Sequence, residues 1–204
     1  MTEQLIVLQA LRLKGRVRAD DLADSVGLDS NTMTADLEAL VAAGFAAETN
    51  GRYKTTPEGR TRLAELLDAE RATLDTDALT SAYEEFDAFN DDLKALMTRW
   101  QLKDESTPND HSDAAYDAAI VTGLRALHER FAPLLSRVVE QAPRLTRYPT
   151  RFTAALEKVE SGDTSWFARP IADSYHTVWF ELHEELIGLT GRTRAAEAAA
   201  GRAL

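Results

Sequence analysis

The N-terminal part of the chain takes its architecture from residues 28–57, which read LDSNTMTADLEALVAAGFAAETNGRYKTTP. Residues 28–31 form a polar turn with helix-capping side chains, and Gly44 is typical of a helix end. Apolar residues recur at helical spacing between these two signals. The pattern predicts a helix that buries Met33, Leu37, Leu40 and Val41.

A β-hairpin is predicted directly after this helix. Asn50 and Gly51 separate two short extended runs, 45–49 and 52–56, and Asn-Gly between such runs is the strongest short hairpin signal. Pro57 then opens another helix at its favoured first position. The order is therefore helix, hairpin, helix.

Two further helices are predicted upstream. Apolar residues at helical spacing cover residues 3–13 and 19–26, and a glycine follows each run, at Gly15 and Gly27. Residues 16–18 between them are extended in character. Three helices followed by a two-stranded hairpin is the order of a winged helix-turn-helix domain.

Residues 32–45 and the run YKTTPEGR at 53–60 resemble bacterial winged-helix regulators of the MarR and related groups. The resemblance covers about the first third of the chain. It implies that the third helix enters the DNA major groove and that the hairpin, or wing, reaches phosphates or the minor groove. The DNA-binding residues expected by position are Ser30, Asn31, Thr32 and Thr34 on the helix and Arg52 and Lys54 on the wing, with Arg16 and Arg18 as further phosphate contacts.

The third helix departs from this pattern in its charge. Base reading usually depends on Arg, Lys, Asn or Gln, and this helix offers Asn31, small hydroxyl residues, Asp36 and Glu38. Binding would have to come from cations acting on phosphates, which position a protein without specifying sequence. The alternative is a winged domain that docks another protein and no longer binds DNA.

Composition sets the wider limits. The 204 residues include 34 Asp and Glu, 23 Lys and Arg and no cysteine, with a net charge of -11. Without cysteine there are no disulfides, thiolate zinc sites, iron–sulfur clusters or cysteine nucleophiles. No apolar run approaches the ~20 residues of a membrane span, and the N-terminus carries Glu3 where a signal peptide would be basic. We expect a cytoplasmic protein with no membrane association.

The fold class expected is mainly α, with an N-terminal winged helix-turn-helix over residues 1–70 and a C-terminal antiparallel helical bundle over residues 71–204. Most of the acidic excess lies in the second domain. Its helices are marked by apolar stripes, the first running from Tyr83 to Trp100 with Asn90 inside the stripe. Another helix begins at Asp113, and the last runs from about Pro170 to Leu189.

The last helix has a wide apolar sector, which is typical of a central helix or a dimer seam. His176 and His183 share this sector two turns apart, too far to bind one metal ion unaided, so no metal is expected. The opposite sector holds Thr177, Glu181, Glu184 and Glu185. The adjacent carboxylate pairs of this domain, Glu84-Glu85, Asp91-Asp92 and Glu184-Glu185, are expected to be solvated. Residues 192–204 are expected to fray. The ligand-pocket candidates are Asn90, Trp100, Trp166, His176, Trp179 and His183, and the alternative is that they are packed core residues.

A second resemblance lies in this domain. WQLK at 100–103, NDHSDAAYD at 109–117 and DSYHTVWFELHEEL at 173–186 look like a helical module of actinobacterial proteins. In that group the module follows a winged helix and either stands alone or is attached to phosphoenolpyruvate-utilising, pyruvate phosphate dikinase-like proteins. The dikinase catalytic histidine motif and nucleotide-grasp region are absent, so phosphotransfer is not implied for this chain.

The function expected is a DNA-binding winged-helix transcriptional regulator that acts as a homodimer on double-stranded DNA and binds a small-molecule effector in its helical domain. The alternative is an interaction or regulatory subunit that partners a phosphoenolpyruvate-utilising phosphotransfer enzyme. Gly-x-Gly-x-x-Gly, P-loop, His-Glu-x-x-His and Gly-x-Ser-x-Gly motifs are missing, so no enzyme activity and no cofactor are expected. An enzyme working in the Trp/His pocket is a distant third reading.

Overall fold

The computed structural model describes residues 3–104, 106–170 and 172–199. The fold is mainly helical with a small two-stranded antiparallel sheet, so this part of the predicted fold class is confirmed. The chain forms two compact units, Met1–Asp75 and Thr76–Leu204. Within the described ranges, none of the helices combines the length and the apolar character needed to cross a membrane.

The first unit contains four helices and one hairpin. Local signals set their ends: Gly27 takes the left-handed conformation after the second helix, and Asp29 caps the third by accepting the backbone N–H groups of Asn31 and Thr32. The elements are α1 (Glu3–Lys14), α2 (Ala19–Val26), α3 (Ser30–Ala42), β1 (Ala46–Thr49), β2 (Arg52–Thr55) and α4 (Pro57–Arg71).

The hairpin turns at Asn50 and Gly51, as predicted. Both residues have positive φ, 56° and 71°, which is the backbone that a two-residue type I′ turn requires. Val17 forms an antiparallel bridge to Tyr53 on the side of β2 that does not face β1. The distance from Val17 N to Tyr53 O is 3.1 Å, and the distance from Tyr53 N to Val17 O is 2.8 Å. The extended residues between α1 and α2 are thus tied to β2.

The core of the first unit lies between helices α1 to α4 and the sheet. Gly59 of α4 lies against the backbone of Phe45, where an added Cβ would be 1.9 Å from the Phe45 carbonyl oxygen. Only glycine permits this close approach. The core residues are Leu5, Val7, Leu8, Leu11, Val17, Leu22, Ala23, Met33, Leu37, Leu40, Ala46 and Leu63.

The described residues of the second unit form five helices and two short 3₁₀ turns. Asp113 caps the second of these helices, as predicted, but the last long helix begins at Tyr175 and not near Pro170, because Ser174 supplies its capping hydroxyl. The helices are α5 (Thr76–Gln101), α6 (Ala114–Gln141), α7 (Tyr148–Glu160), α8 (Tyr175–Leu189) and α9 (Arg194–Ala199), and the 3₁₀ turns are Pro143–Leu145 and Thr164–Phe167.

Helix α8 packs against α5 and α7 and is buried on both its apolar and its polar side. The expectation that Glu184 and Glu185 are solvated is wrong. Glu185 accepts a hydrogen bond from Arg144 at 2.8 Å, and Glu184 accepts one from Arg194 at 2.6 Å. Buried carboxylates require such partners, and a projection of one helix does not reveal cations that other elements supply.

The chain after α8 is also more ordered than the sequence suggested. Residues 194–199 form α9, and Glu197, which is 2% exposed, accepts a hydrogen bond from the Tyr83 hydroxyl at 2.7 Å. The guanidinium of Arg192 lies 4.8 Å from the centre of the Tyr83 ring. The expectation of fraying is therefore wrong for residues 192–199, and residues 200–204 lie outside the described part of the chain.

Candidate functional site

Four predicted phosphate contacts share one face of the small sheet, which we call the cationic face: Arg16, Arg18, Arg52 and Lys54. Val17 and Tyr53 are paired and pack against the core. Because side chains alternate along a strand, the residues on either side of each of them point away from the core. All four cations are exposed.

Hydrogen bonds bring the arginines of the cationic face together at the hairpin. Arg16 Nη2 donates to the Thr49 carbonyl oxygen at 3.1 Å, and Arg52 Nη1 lies 3.5 Å from the carbonyl oxygen of Arg16. None of the four cations forms an ion pair with a carboxylate of the described residues. Their charge is therefore available to an external anion.

The predicted contacts on α3 are less available. The Thr32 hydroxyl donates to the capping carboxylate of Asp29, and the Thr34 hydroxyl donates to the Ser30 carbonyl oxygen at 2.7 Å. The bond from Thr32 lowers the pKa of Asp29, so a negative charge is held at the N-terminus of the helix. Ser30 and Asn31 are exposed.

The surface formed by α2 and α3 is acidic. Residues 19–51 contain seven Asp and Glu and no Lys or Arg. Burial raises the pKa of Asp36 on α3, and the neighbouring Glu3 raises it further. The exposed cations predicted to contact phosphate therefore lie on the cationic face, whereas the third helix carries only acidic charge.

In the second unit, two of the pocket candidates form a bonded pair inside the core. Asn90 is 1% exposed, and its side-chain oxygen accepts a hydrogen bond from Trp179 Nε1 at 3.1 Å. The Trp179 ring stacks on Phe86 with 5.0 Å between ring centres. This geometry is that of a satisfied core amide.

His183 lies in the same core. Its Nε2 is 3.2 Å from the Tyr83 hydroxyl oxygen. Since that hydroxyl donates its proton to Glu197, the imidazole N–H must lie on Nε2. Nδ1 is buried without a hydrogen-bond partner among the described residues. Burial, together with the charge of Arg194, lowers the pKa of His183 to about 4, so the ring is neutral near pH 7.

The remaining pocket candidates lie elsewhere. His176 is half-buried on α8, and burial lowers its pKa. Trp166 lies in the second 3₁₀ turn, where the Lys158 ammonium is 3.3 Å from the ring centre. Trp100 lines a separate cleft. The six candidates therefore do not form one pocket.

This cleft, which we call the His111 cleft, has a volume of about 560 Å³ and opens to solvent. The Trp100 ring lies between two others, with its centre 4.6 Å from that of Phe167 and 4.4 Å from that of His111. Its lining is Trp100, His111, Thr164, Ser165, Ala168 and Arg169.

His111 and Asp117 form a dyad at the edge of the cleft. His111 Nδ1 is 2.9 Å from Asp117 Oδ2, and Asn109 Nδ2 donates to Asp117 Oδ1 at 2.8 Å. Sequence reasoning missed both members of this dyad as site residues. The signal was the polar run at 109–117, which has an amide, an imidazole and carboxylates around the start of a helix.

Comparison of the chain with protein-family models, curated proteins and solved structures gives no significant match. In the described ranges, no group of three or more His, Cys, Asp or Glu side chains is placed to hold a metal ion. Two candidate sites are defined by their geometry: the cationic face in the first unit and the His111 cleft in the second.

Proposed function

We propose that the first unit is a winged helix-turn-helix domain and that the protein is a DNA-binding transcriptional regulator. The observation that carries this proposal is the cationic face, where four exposed cations have no carboxylate partner among the described residues. The order of elements, with Val17 bridged to Tyr53 between α1 and α2, supports the assignment of a winged fold.

The hairpin side of the domain is the part that binds the phosphate backbone. Four phosphate contacts per chain give a slope of about −3.6 in log affinity against log salt, or roughly a hundredfold loss between about 50 and 200 mM salt. The helix α3 adds Ser30 and a single residue of the types that usually read bases, Asn31. Binding is therefore strongly dependent on salt and weakly selective for sequence.

The second unit is proposed to be an antiparallel helical bundle that dimerises the chain in the cytoplasm. A homodimer places two winged domains on half-sites about one DNA turn apart. An effector that binds one dimer arrangement more tightly would shift the population between arrangements. Light scattering of the purified chain tests this step, and a strict monomer contradicts it.

The test of DNA binding is fluorescence anisotropy with labelled duplex at several salt concentrations. The variant Arg52→Ala/Lys54→Ala should reduce the salt slope by about half and weaken binding about tenfold or more. The matched control is Arg125→Ala/Arg130→Ala, which removes two exposed arginines from the second unit. Absence of binding at low salt, or an equal loss in the control, overturns the proposal.

A second candidate function rests on the acidic surface of α2 and α3. Seven carboxylates without a cation in residues 19–51 suit a basic protein partner better than DNA. The partner proposed is a phosphoenolpyruvate-utilising phosphotransfer enzyme. In this case Asp20→Asn/Asp21→Asn weakens capture of that enzyme, whereas Arg52→Ala/Lys54→Ala leaves it unchanged.

A further inference from the structure

We propose that the His111 cleft binds a small organic anion that carries a phosphate or carboxylate group and a nearby hydroxyl. Arg169 binds the anionic group, and His111 Nε2 accepts a hydrogen bond from the ligand hydroxyl. The proposal deepens the effector role given above and rests on it only for the regulatory consequence, because binding to the cleft is measured without DNA.

The tautomer of His111 determines which of its nitrogens can accept a hydrogen bond from a ligand. Asp117 accepts hydrogen bonds through both carboxylate oxygens, one from Asn109 and one from His111 Nδ1. In the neutral form of the ring, this bond places the imidazole hydrogen on Nδ1 and leaves the lone pair on Nε2. Nε2 has no hydrogen-bond partner among the described residues, and the ring lines the cleft. This nitrogen is a ready acceptor for a ligand hydroxyl.

Backbone conformation and hydrogen bonds hold the His111 ring in place without a ligand. His111 has φ of 57°, a left-handed conformation that is costly for a residue with a Cβ. Its backbone N–H donates to Asn109 Oδ1 at 3.1 Å, and Asn109 Nδ2 also donates to the Trp100 carbonyl oxygen at 3.2 Å. Strained residues held by their surroundings are common in ligand sites, and a rigid site loses less entropy on binding.

The lining of the cleft also includes a cation, Arg169. Arg169 is exposed and forms no ion pair with any carboxylate in the described ranges. Among the other described arginines of this unit, those at 125, 130, 137, 144, 151, 192 and 194 have carboxylate partners, whereas Arg99 and Arg147 form no ion pair and do not line the cleft. A guanidinium binds carboxylate and phosphate groups through two parallel hydrogen bonds.

The size and the lining of the His111 cleft also suit a small organic ligand. A volume of about 560 Å³ is in the range of metabolite sites, and the edge of the Trp100 ring gives the cleft an apolar wall. The Ser165 hydroxyl donates to Asp163 at 2.6 Å instead of to His111, so the cleft has no serine activated by the imidazole. The arrangement therefore favours binding over covalent chemistry.

The test is titration of the full chain with three probes, followed by tryptophan fluorescence and by NMR of the imidazole nitrogens. The probes are glycerol 3-phosphate, L-lactate and inorganic phosphate. We expect saturable quenching with one of the two hydroxyl-bearing probes and a shift of the His111 Nε2 resonance. Inorganic phosphate, which lacks the organic part, should bind about tenfold more weakly.

Variants separate the cleft from general charge effects. Arg169→Ala should weaken binding about tenfold or more, since it removes a charge-assisted contact. Asp117→Asn should weaken binding by several-fold and change the protonated nitrogen of His111. The matched control is Arg147→Ala, another exposed arginine of the same unit that forms no ion pair within the described part of the chain, and it should leave binding unchanged.

The outcomes are distinct. Binding of glycerol 3-phosphate alone supports a phosphate ester ligand, and binding of lactate alone supports a hydroxycarboxylate. No saturable signal with either probe at about 10 mM, or an equal loss in Arg147→Ala, overturns the proposal. If DNA binding fails while the probes bind in an Arg169-dependent manner, the site stands and the regulator assignment falls.

Discussion

Breaking the buried ion pair between Arg144 and Glu185 from one side should strongly destabilise the second unit. Their side chains are 3% and 5% exposed, and Arg144 Nη1 is 2.8 Å from Glu185 Oε2. The variant Glu185→Gln keeps the shape of the side chain but leaves the guanidinium charge buried opposite a neutral amide. Breaking such a pair from one side costs about 3–5 kcal/mol.

Two further variants isolate the buried charge as the cause. Glu85→Gln is the matched control, because Glu85 pairs with Arg137 and both side chains are about half exposed, so the loss should stay below about 1 kcal/mol. Arg144→Met/Glu185→Leu removes both charges together. This double variant should be clearly more stable than Glu185→Gln, since no unpaired charge remains buried.

Urea unfolding followed by tryptophan fluorescence measures these differences. All three tryptophans lie in the second unit, so the signal reports on that unit alone. Neighbouring groups belong to the same network: burial and then the nearby Glu185 carboxylate raise the pKa of Tyr148. If Glu185→Gln loses no more than Glu85→Gln, or if the double variant is the least stable, the argument from buried charge is wrong.

Two further predictions concern pH and glycine. Because burial lowers the pKa of His183 to about 4 from 6.5, its contribution is fully present above pH 6.5 and is lost as pH falls toward 4, by about 3 kcal/mol. The urea midpoint should fall as pH falls between these values, and it should fall less steeply with pH in His183→Gln than in the unchanged chain. The pH dependence that remains in the variant is due partly to His128 and His176, whose pKa values burial also lowers. Gly59→Ala should unfold the first unit, because the Cβ would overlap the Phe45 carbonyl, whereas Gly188→Ala in α8 meets no atom within 4 Å and should stabilise its unit by about 1 kcal/mol. Thermal scans that rank these two variants in the opposite order contradict the packing argument.

Local signals in the sequence were sufficient for most elements of the fold. The capping residues Asp29 and Asp113, the glycine that ends α2 and the Asn50-Gly51 turn all lie within a few residues of the boundary that they set. Such signals act through the backbone of the same segment, so they can be read without knowing the tertiary contacts. Arg52 and Lys54 were identified differently, by position in the resemblance to winged-helix regulators, and Arg16 and Arg18 were added as basic residues able to contact phosphates.

The buried polar pairs of the second unit depend on contacts that no local pattern contains. Asn90 and Trp179 are 89 residues apart in the sequence, and Arg144 and Glu185 are 41 apart. The His111 dyad is local in sequence, but it forms only because a left-handed turn brings the ring to Asp117. Periodicity reports which side of a helix is apolar and says nothing about the partners that meet its polar side.

The sequence by itself determined most of the helices and the hairpin turn, because caps, turn residues and apolar spacing act over a few residues. The bridge between Val17 and Tyr53, a tertiary contact, brings Arg16 and Arg18 to the hairpin. The tertiary structure alone decided which charges are buried and paired on α8, which histidine is locked in the core and which faces an open cleft. These outcomes depend on the packing of segments far apart in the chain, where burial makes an unpaired charge costly and so selects the partners that meet.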